Sequence, residues 1–342
     1  MSLKVNIFKD LGSFKLDVNF ETKDVTLALL GTSGCGKSMT LKCIAGIEKP
    51  DYGYIELNGR VLFDSENKIN LSPQKRKVGY LFQDFALFPN MNVYQNIKCG
   101  LKNYPKEKRD ERIKELVNIF HLDGLEKHKP HQLSGGQKQR TALARILASN
   151  PELLLLDEPF SSLDEHLRTG LQIEMKQIIK DFNGDVILVT HNRDEAYILS
   201  DEMCILDNGH AEKKEKTKEL FDNPETVSSA IITGCKNIAS VEIKDKTIVV
   251  PSWGISFKCP KEIKECTSIG VRAHSFSLDK KTMSFPIEII DIIEEPFEHT
   301  IRFRFANNNC SSILYWRLSK SEKIDLKTKK IYLSEKDILF LK

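Results

Sequence analysis

Short apolar runs alternate with stretches carrying an apolar residue at every third or fourth position through the first two hundred residues of this chain. The run Val25–Leu30 ends in glycine and leads through a glycine-rich loop into a helical stretch from Lys37 to about Ala45. Leu153–Leu156 and Val186–Val189 are further short apolar runs, the pattern of strands buried on both faces. Between them Leu167, Leu171, Met175 and Ile178 recur at helical spacing, which predicts a helix over Asp164–Asp181. Strand and helix in alternation is βαβ logic, so the pattern predicts an α/β core with a mostly parallel sheet covered by helices.

Two regions depart from that pattern. Residues 105–149 are rich in Lys and Glu, place Ile113, Leu116, Val117 and Phe120 at helical spacing and carry no strand signal, which predicts a helical insertion over about 84–149. The segment 210–235 reads as helix and connector. Beyond it, Thr247–Val250, Phe285–Ile290 and Thr300–Phe305 are short alternating runs separated by Pro, Gly or Asn clusters, the signature of a small antiparallel β domain or barrel. The expected organisation is a core over 1–235 and a β-barrel-like accessory domain over 236–342.

Composition supports two domains. The chain has 342 residues, 40% of them hydrophobic and 29% charged, a globular balance that excludes wholesale disorder. No apolar run approaches the ~20 residues of a membrane span, and the N-terminus lacks an apolar h-region, so the chain reads as cytosolic. Net charge is only +3, which argues against binding nucleic acid through its phosphate backbone. Residues 236–342 carry 19 Lys/Arg against 14 Asp/Glu, which reads as a solvated Lys-rich surface, with contact to anions or acidic lipid as the alternative. Eight cysteines (35, 43, 99, 204, 235, 259, 266, 310) form no zinc spacing and read as reduced.

The chemistry lies in three stretches. Gly31, Thr32, Ser33, Gly34, Cys35, Gly36, Lys37 and Ser38 satisfy the phosphate-loop pattern between a strand and a helix. Glycines there let backbone N–H groups turn inward around phosphate oxygens, and the helix start adds the positive end of its dipole. Lys37 supplies a mobile charge, and the Ser38 hydroxyl is a hard oxygen ligand for Mg²⁺. Asp157 and Glu158 end a buried leucine run: the first is placed to hold Mg²⁺, the second to polarise a water for attack on a γ-phosphate. Leu133, Ser134, Gly135, Gly136 and Gln137 precede a strong helix former and place Ser and Gly N–H groups at a helix N-terminus, a second anion site. Two phosphate sites far apart in one chain make sense if two copies face each other, each closing over the other's ATP.

With these motifs in view, residues 1–235 resemble the ATP-binding subunit of an ABC transporter. The resemblance implies an ABC-type P-loop fold, ATP and Mg²⁺ as cofactors, ATP hydrolysis, a homodimer and integral-membrane permease subunits, fed by an extracytoplasmic solute-binding protein. It implies that the chain lies peripherally on the cytoplasmic face of the membrane and binds no nucleic acid. Gln83, after Val78–Phe82, matches the Q-loop that senses metal and attacking water. Ser161–Asp164 matches the D-loop of the dimer interface, and His191 the switch histidine on the γ-phosphate. The resemblance also implies that nucleotide contacts extend to Met39. An aromatic upstream of the loop stacks on the adenine in this family; Phe14 is the candidate, with Phe8 or a purely structural role as alternatives.

The stretches 55–64, 71–80 and 233–238 are similar to the ATPase of molybdate-type oxyanion importers, with sulfate, ferric-ion and polyamine importers sharing the same core. A soluble ABC ATPase acting on DNA or ribosomes is the remote alternative, since those carry long coiled-coil insertions or two cassettes. The tail resembles an accessory oligonucleotide-binding-type fold, in which Arg272, His274 and Lys236 offer donors to a tetrahedral anion unless they serve packing or surface roles. Cys35, among loop N–H groups and beside Lys37, is expected to have a lowered thiol pKa, while for function it reads as filling a small-residue position.

Overall fold

The computed structural model describes residues 2–342 except Ser13, Asn103, Asp164, 245–246, 259–265, 307–311 and Lys323, and at 165–167 it describes no side chains. Asp164, Cys259, Cys310 and the Leu167 side chain therefore lie outside the described residues. The chain divides into two compact units, Met1–Thr217 and Lys218–Lys342.

In the first unit, β1 (Ser2–Asp10) and β2 (Lys15–Lys23) alternate buried and exposed positions along their length. They pair as an antiparallel hairpin that sets Val5 opposite Phe20 and Ile7 opposite Val18 on the core face. Then follow β3 (Thr26–Leu30), α1 (Lys37–Ala45), β4 (Tyr52–Leu57), β5 (Arg60–Asp64), β6 (Ile69–Asn70), α2 (Pro73–Arg76) and β7 (Val78–Leu81). Helices α3 (Val93–Gly100), α4 (Arg109–Ile119) and α5 (Gly135–Ala148) fill the insertion. The unit closes with β8 (Leu153–Asp157), α6 (Glu165–Asp181), β9 (Asp185–Thr190), α7 (Arg193–Leu199), β10 (Glu202–Asp207), β11 (His210–Ala211) and β12 (Glu215–Lys216).

One sheet runs β6-β5-β4-β1-β2-β11-β10-β3-β9-β8-β7. Only β10-β3-β9-β8-β7 is a continuous parallel run; the hairpin strands on the other side pair antiparallel. The expected mostly parallel sheet is thus half of a mixed one. The physical reason is local: polar alternation and short turns over the first seventy residues favour hairpins, which continuous-run logic does not detect.

Side chains of the central strands serve two cores in turn. On β8, Leu153 and Leu155 join the core formed with α1 and the hairpin strands, while Leu154 and Leu156 join the core of the helical insertion and α6. Two-residue periodicity explains this division. Beneath α1 lies a fully buried arginine. Arg76 donates to the Cys43 and Ile44 carbonyls, both at 2.8 Å, and to Leu71 O and Asn70 Oδ1. It satisfies carbonyls at the C-terminal end of α1, where a cation is favoured. Burial lowers its pKa to about 10, so it remains charged.

In the second unit, α8 (Thr217–Asp222) and α9 (Val227–Ile232) precede ten strands among the described residues. These are β13 (Asn237–Ser240), β14 (Glu242–Lys244), β15 (Thr247–Val250), β16 (Ile255–Lys258), β17 (Ser268–Val271), β18 (Met283–Glu294), β19 (Glu298–Phe305), β20 (Leu314–Ser319), β21 (Lys330–Leu333) and β22 (Ile338–Leu341). They form three antiparallel sheets, β13-β17-β22, β14-β15-β16 and β20-β19-β18-β21, with one core built on Trp253, Phe276, Phe303, Phe305 and Trp316. The break at 217 falls ahead of the boundary expected at 235 because α9 packs with this unit: Ala230, Cys235, Leu339 and Leu341 form one cluster.

Asp185, fully buried at the start of β9, ties the β2–β3 corner by accepting from the Thr22 hydroxyl at 2.9 Å and from Val25 N at 3.0 Å. Burial raises its carboxyl above the usual range. The proton therefore binds the folded state more tightly, and the stability this group contributes is lost as pH rises from the ordinary carboxylate range through the raised value. Asp185→Asn can keep both hydrogen bonds, with Thr22 reversing its donation, and removes the charge. Its melting temperature at pH 8 is expected to match or exceed the parent's, whereas Asp185→Ala lowers it by roughly 4 °C or more. A lower melting point for the Asn variant at pH 8 would show that the charge itself is needed.

Candidate functional site

Because β3, β9, β8 and β7 run parallel and adjacent, the segments leaving their C-terminal ends open along one sheet edge, where such sheets hold ligands. Those segments are the 31–38 loop after β3, Gln83 after β7, Asp157 and Glu158 at the end of β8, and His191 after β9.

Two glycines of the loop are forced by space. A Cβ on Gly31 would lie 2.2 Å from Leu206 O, and one on Gly36 would lie 2.5 Å from Leu16 while φ there is +106°. Gly36 caps α1 without a side chain, so the first-turn N–H groups of Lys37, Ser38 and Met39 are left for an anion. Thr32, Ser33 and Gly34 form the exposed crest. The buried Lys37 ammonium donates to Gly31 O at 2.9 Å and Thr32 O at 2.8 Å. Held by its own loop's carbonyls, it lies beside the cradle that the N–H groups line.

Asp157 joins the loop helix to the sheet. Its Oδ1 accepts the Ser38 hydroxyl at 2.7 Å and its Oδ2 the Tyr80 hydroxyl at 2.7 Å. Burial and this hydrogen bond push the Tyr80 phenol well above its ordinary range, so it stays a donor. A serine hydroxyl and a carboxylate in contact form a hard-oxygen pair suited to Mg²⁺. Glu158 follows with φ +46°, a left-handed conformation that costs a non-glycine residue about 1–2 kcal/mol. The neighbours hold it there: Glu158 N donates to Val189 O at 2.9 Å, and its carbonyl accepts the Ser161 hydroxyl at 2.9 Å. The carboxylate thereby reaches His191, whose Nδ1 lies 3.1 Å from Glu158 Oε1.

Other expected residues sit apart from this cluster. The exposed Gln83 side chain makes no hydrogen bond to Asp157 or Ser38 among the described residues; its carbonyl accepts the Ser162 hydroxyl at 3.5 Å. Phe14 is half-buried with a ring atom 3.3 Å from where a Gly36 Cβ would be, beside the phosphate loop. Phe8 instead packs on Tyr52 at 6.2 Å. Ser134 and Gln137 form a capping box on α5, with Gln137 accepting from Ser134 N at 2.9 Å. Leu163 packs close over Gly135 and Leu171 over Gly136, so a methyl at either position would push on a leucine side chain. No described hydrogen bond joins this segment to the 31–39 loop.

One sequence expectation is corrected, and for the tail residues the packing and surface alternative holds. Cys35 packs in the core, and burial pushes its thiol up, outweighing the lowering effect of Lys37 at 3.7 Å. The tail residues are already engaged. Arg272 donates to Thr233 O at 2.8 Å and to Phe221 O, His274 lies 3.3 Å from Glu298, and Lys236 lies over the Tyr315 ring at 5.7 Å. The trio is not assembled around an anion. Sequence reasoning missed Tyr80, although a hydroxyl-bearing residue near the end of an apolar strand was the available signal. It also missed Thr190 and Glu195, which bond each other at 2.7 Å beside His191.

A family profile described as ABC transporter matches residues 15–161. The molybdate/tungstate import ATP-binding protein of Archaeoglobus fulgidus is 43% identical over 221 residues, 65% of this chain and 90% of that protein. A Fe(3+) ions import ATP-binding protein of Haemophilus influenzae is 41% identical over 271 residues, 77% of this chain and 75% of that protein. Among solved structures, a dimeric ATP-binding cassette in a post-hydrolysis state with ADP and Pi superposes with a TM-score of 0.54 at 29% identity, covering 64% of this chain and 99% of its own.

The glycines separate by mechanism. Gly31→Ala drives a methyl into backbone, so its melting temperature is expected to fall clearly. Gly34→Ala meets no atom within 4 Å and carries only the strain of φ +83°, so its melting temperature falls less. Equal melting points would show that the loop relaxes around the Gly31 methyl.

Proposed function

The chain belongs to the ABC transporter ATP-binding family, and on that premise we propose that it hydrolyses ATP to drive import of a molybdate- or tungstate-type oxyanion. It is an ATPase of the importer class, uses ATP with Mg²⁺, and works as a dimer with permease subunits and a solute-binding protein. The observation that carries the site reading is the convergence of Ser38, Asp157, Glu158 and His191 on one sheet edge through contacts of 2.7 and 3.1 Å.

In this reading the phosphates lie on the N–H groups of 31–39 at the positive end of α1. Lys37 moves from its loop carbonyls to the β- and γ-phosphates. Ser38 and Asp157 would hold Mg²⁺, joined by Gln83 from the segment after β7 as the family resemblance implies, and the ion would neutralise phosphate charge. Glu158 accepts a hydrogen bond from the attacking water and aims its oxygen along the line of the breaking P–O bond. His191, fixed against Glu158, contacts the γ-phosphate. The capping box of α5 supplies Ser134–Gln137 to the nucleotide of the second copy. The Phe14 ring, beside Gly36, supports the adenine.

Cargo rests on the family relatives and on the 55–64, 71–80 and 233–238 stretches. Ferric-ion, polyamine and sulfate importer subunits also match, and they are the alternatives. No described helix is long and apolar enough to cross a membrane, which fits attachment at the cytoplasmic face through the permease.

Glu158→Gln keeps the hydrogen-bonding shape but is a poor acceptor, so it is expected to trap an ATP-bound dimer, seen as a doubled mass in ATP without turnover. Hydrolysis at the parent rate would remove Glu158 from its role. With the native permease and receptor, ATPase stimulation is expected from receptor loaded with molybdate or tungstate. Stimulation by sulfate-, ferric- or polyamine-loaded receptor instead would overturn the cargo and leave the ATPase reading intact.

A further inference from the structure

His191 stands on a connector of two residues, between the end of β9 at Thr190 and the start of α7 at Arg193. So short a connector takes its orientation from what grips its ends. Asn192 caps α7, its Oδ1 accepting from Asp194 N at 2.9 Å and Glu195 N at 3.2 Å. Its own N–H donates to the Thr190 hydroxyl oxygen at 3.0 Å. That hydroxyl, 1% exposed, has one proton, and it goes to Glu195 Oε2 at 2.7 Å. The Glu195 side chain, 4% exposed, thus returns from the first turn of α7 to close a ring of hydrogen bonds around the histidine.

We propose that Glu195 is the positioning residue of the switch histidine: by taking the Thr190 proton it turns the hydroxyl's lone pair to the Asn192 N–H, and so fixes the direction in which His191 leaves the sheet. The inference rests on the hydrolytic reading of Glu158 and His191. A hydroxyl has one proton and two acceptor positions, and without a fixed acceptor it rotates among partners. With Glu195 in place, donation and acceptance by Thr190 are both assigned, and the backbone on either side of His191 is pinned.

The second carboxylate oxygen faces another part of the site. Glu195 Oε1 lies 3.9 Å from Arg168 Nε, and Arg168 Nη2 reaches Leu163 O at 3.5 Å. Arg168 Nε is buried without a hydrogen-bond partner among the described residues, so this is charge proximity rather than a bond. The arginine belongs to α6, the helix that follows the 161–164 segment whose resemblance implies the dimer interface. The carboxylate therefore sits between the histidine's connector and the segment that meets the second copy. Burial holds the Glu195 carboxyl above its usual range, which makes a neutral amide of the same shape a fair substitute.

The test is a double-mutant cycle on ATPase activity in the full chain, with melting temperature and ATP affinity measured alongside. Glu195→Ala is expected to lower kcat by about tenfold to a hundredfold, the scale of a misplaced catalytic group, with KM for ATP within about twofold of the parent. Glu195→Gln should restore most of the rate, since its amide oxygen still accepts the Thr190 proton. Thr190→Val, which keeps the shape and removes the hydroxyl, should reproduce the Ala loss even if Glu195→Ala folds poorly. In a His191→Ala background Glu195→Ala should cost nothing further, because its effect passes through the histidine. An equal loss in both backgrounds, or a kcat loss that follows the melting temperature through all variants, would overturn the proposal. If His191→Ala itself leaves the rate unchanged, the reading of the site fails first, and the proposal with it.

Discussion

Two hydroxyls on one carboxylate hold the site together. Asp157 is buried at the end of a strand whose other residues are fully apolar, and it receives Ser38 from α1 and Tyr80 from β7. A carboxylate in such a place needs partners, and neutral ones satisfy its hydrogen bonding without cancelling its charge. No ion pair engages it among the described residues. The arrangement fixes three elements, α1, β7 and β8, relative to one another. The rest of the catalytic edge takes its geometry from that junction: Glu158 is the next residue, and His191 is held against it.

The strongest sequence signals were those in which spacing itself is the mechanism. The loop from Gly31 to Ser38 and the helix to Ala45 are fixed by the need to expose N–H groups, and α1 spans Lys37–Ala45 as the spacing predicts. The buried runs at 153–156 and 186–189 became β8 and β9 because a strand covered on both faces has no polar positions to mark its register. The antiparallel half of the sheet was less visible, since alternation in β1 and β2 speaks for a hairpin without saying which sheet the hairpin extends.

Partner choice was the part the sequence did not carry. Gly46 leaves room for a side chain thirty residues later, and nothing in the string 71–80 says that Arg76 is the one to occupy it. The same holds for Arg272, whose guanidinium holds backbone carbonyls of the α8–α9 segment rather than facing solvent. Cys35 shows the reverse error. Its chemical neighbours suggested an activated thiol, but the degree of burial decides the sign, and burial is a property of the packed fold. Residues such as Tyr80 and Glu195 fall into this class too, polar groups in apolar surroundings whose meaning appears only when their acceptors are known.

Arg76 has a consequence for how such a machine moves. Its guanidinium grips two carbonyls at one end of α1, and Gly36 packs tightly on Leu16 at the other. A helix fastened at both ends can neither slide along its axis nor turn about it without breaking buried hydrogen bonds. In the proposed hydrolytic cycle the phosphate-binding helix is then the stator, a fixed frame carried with the sheet.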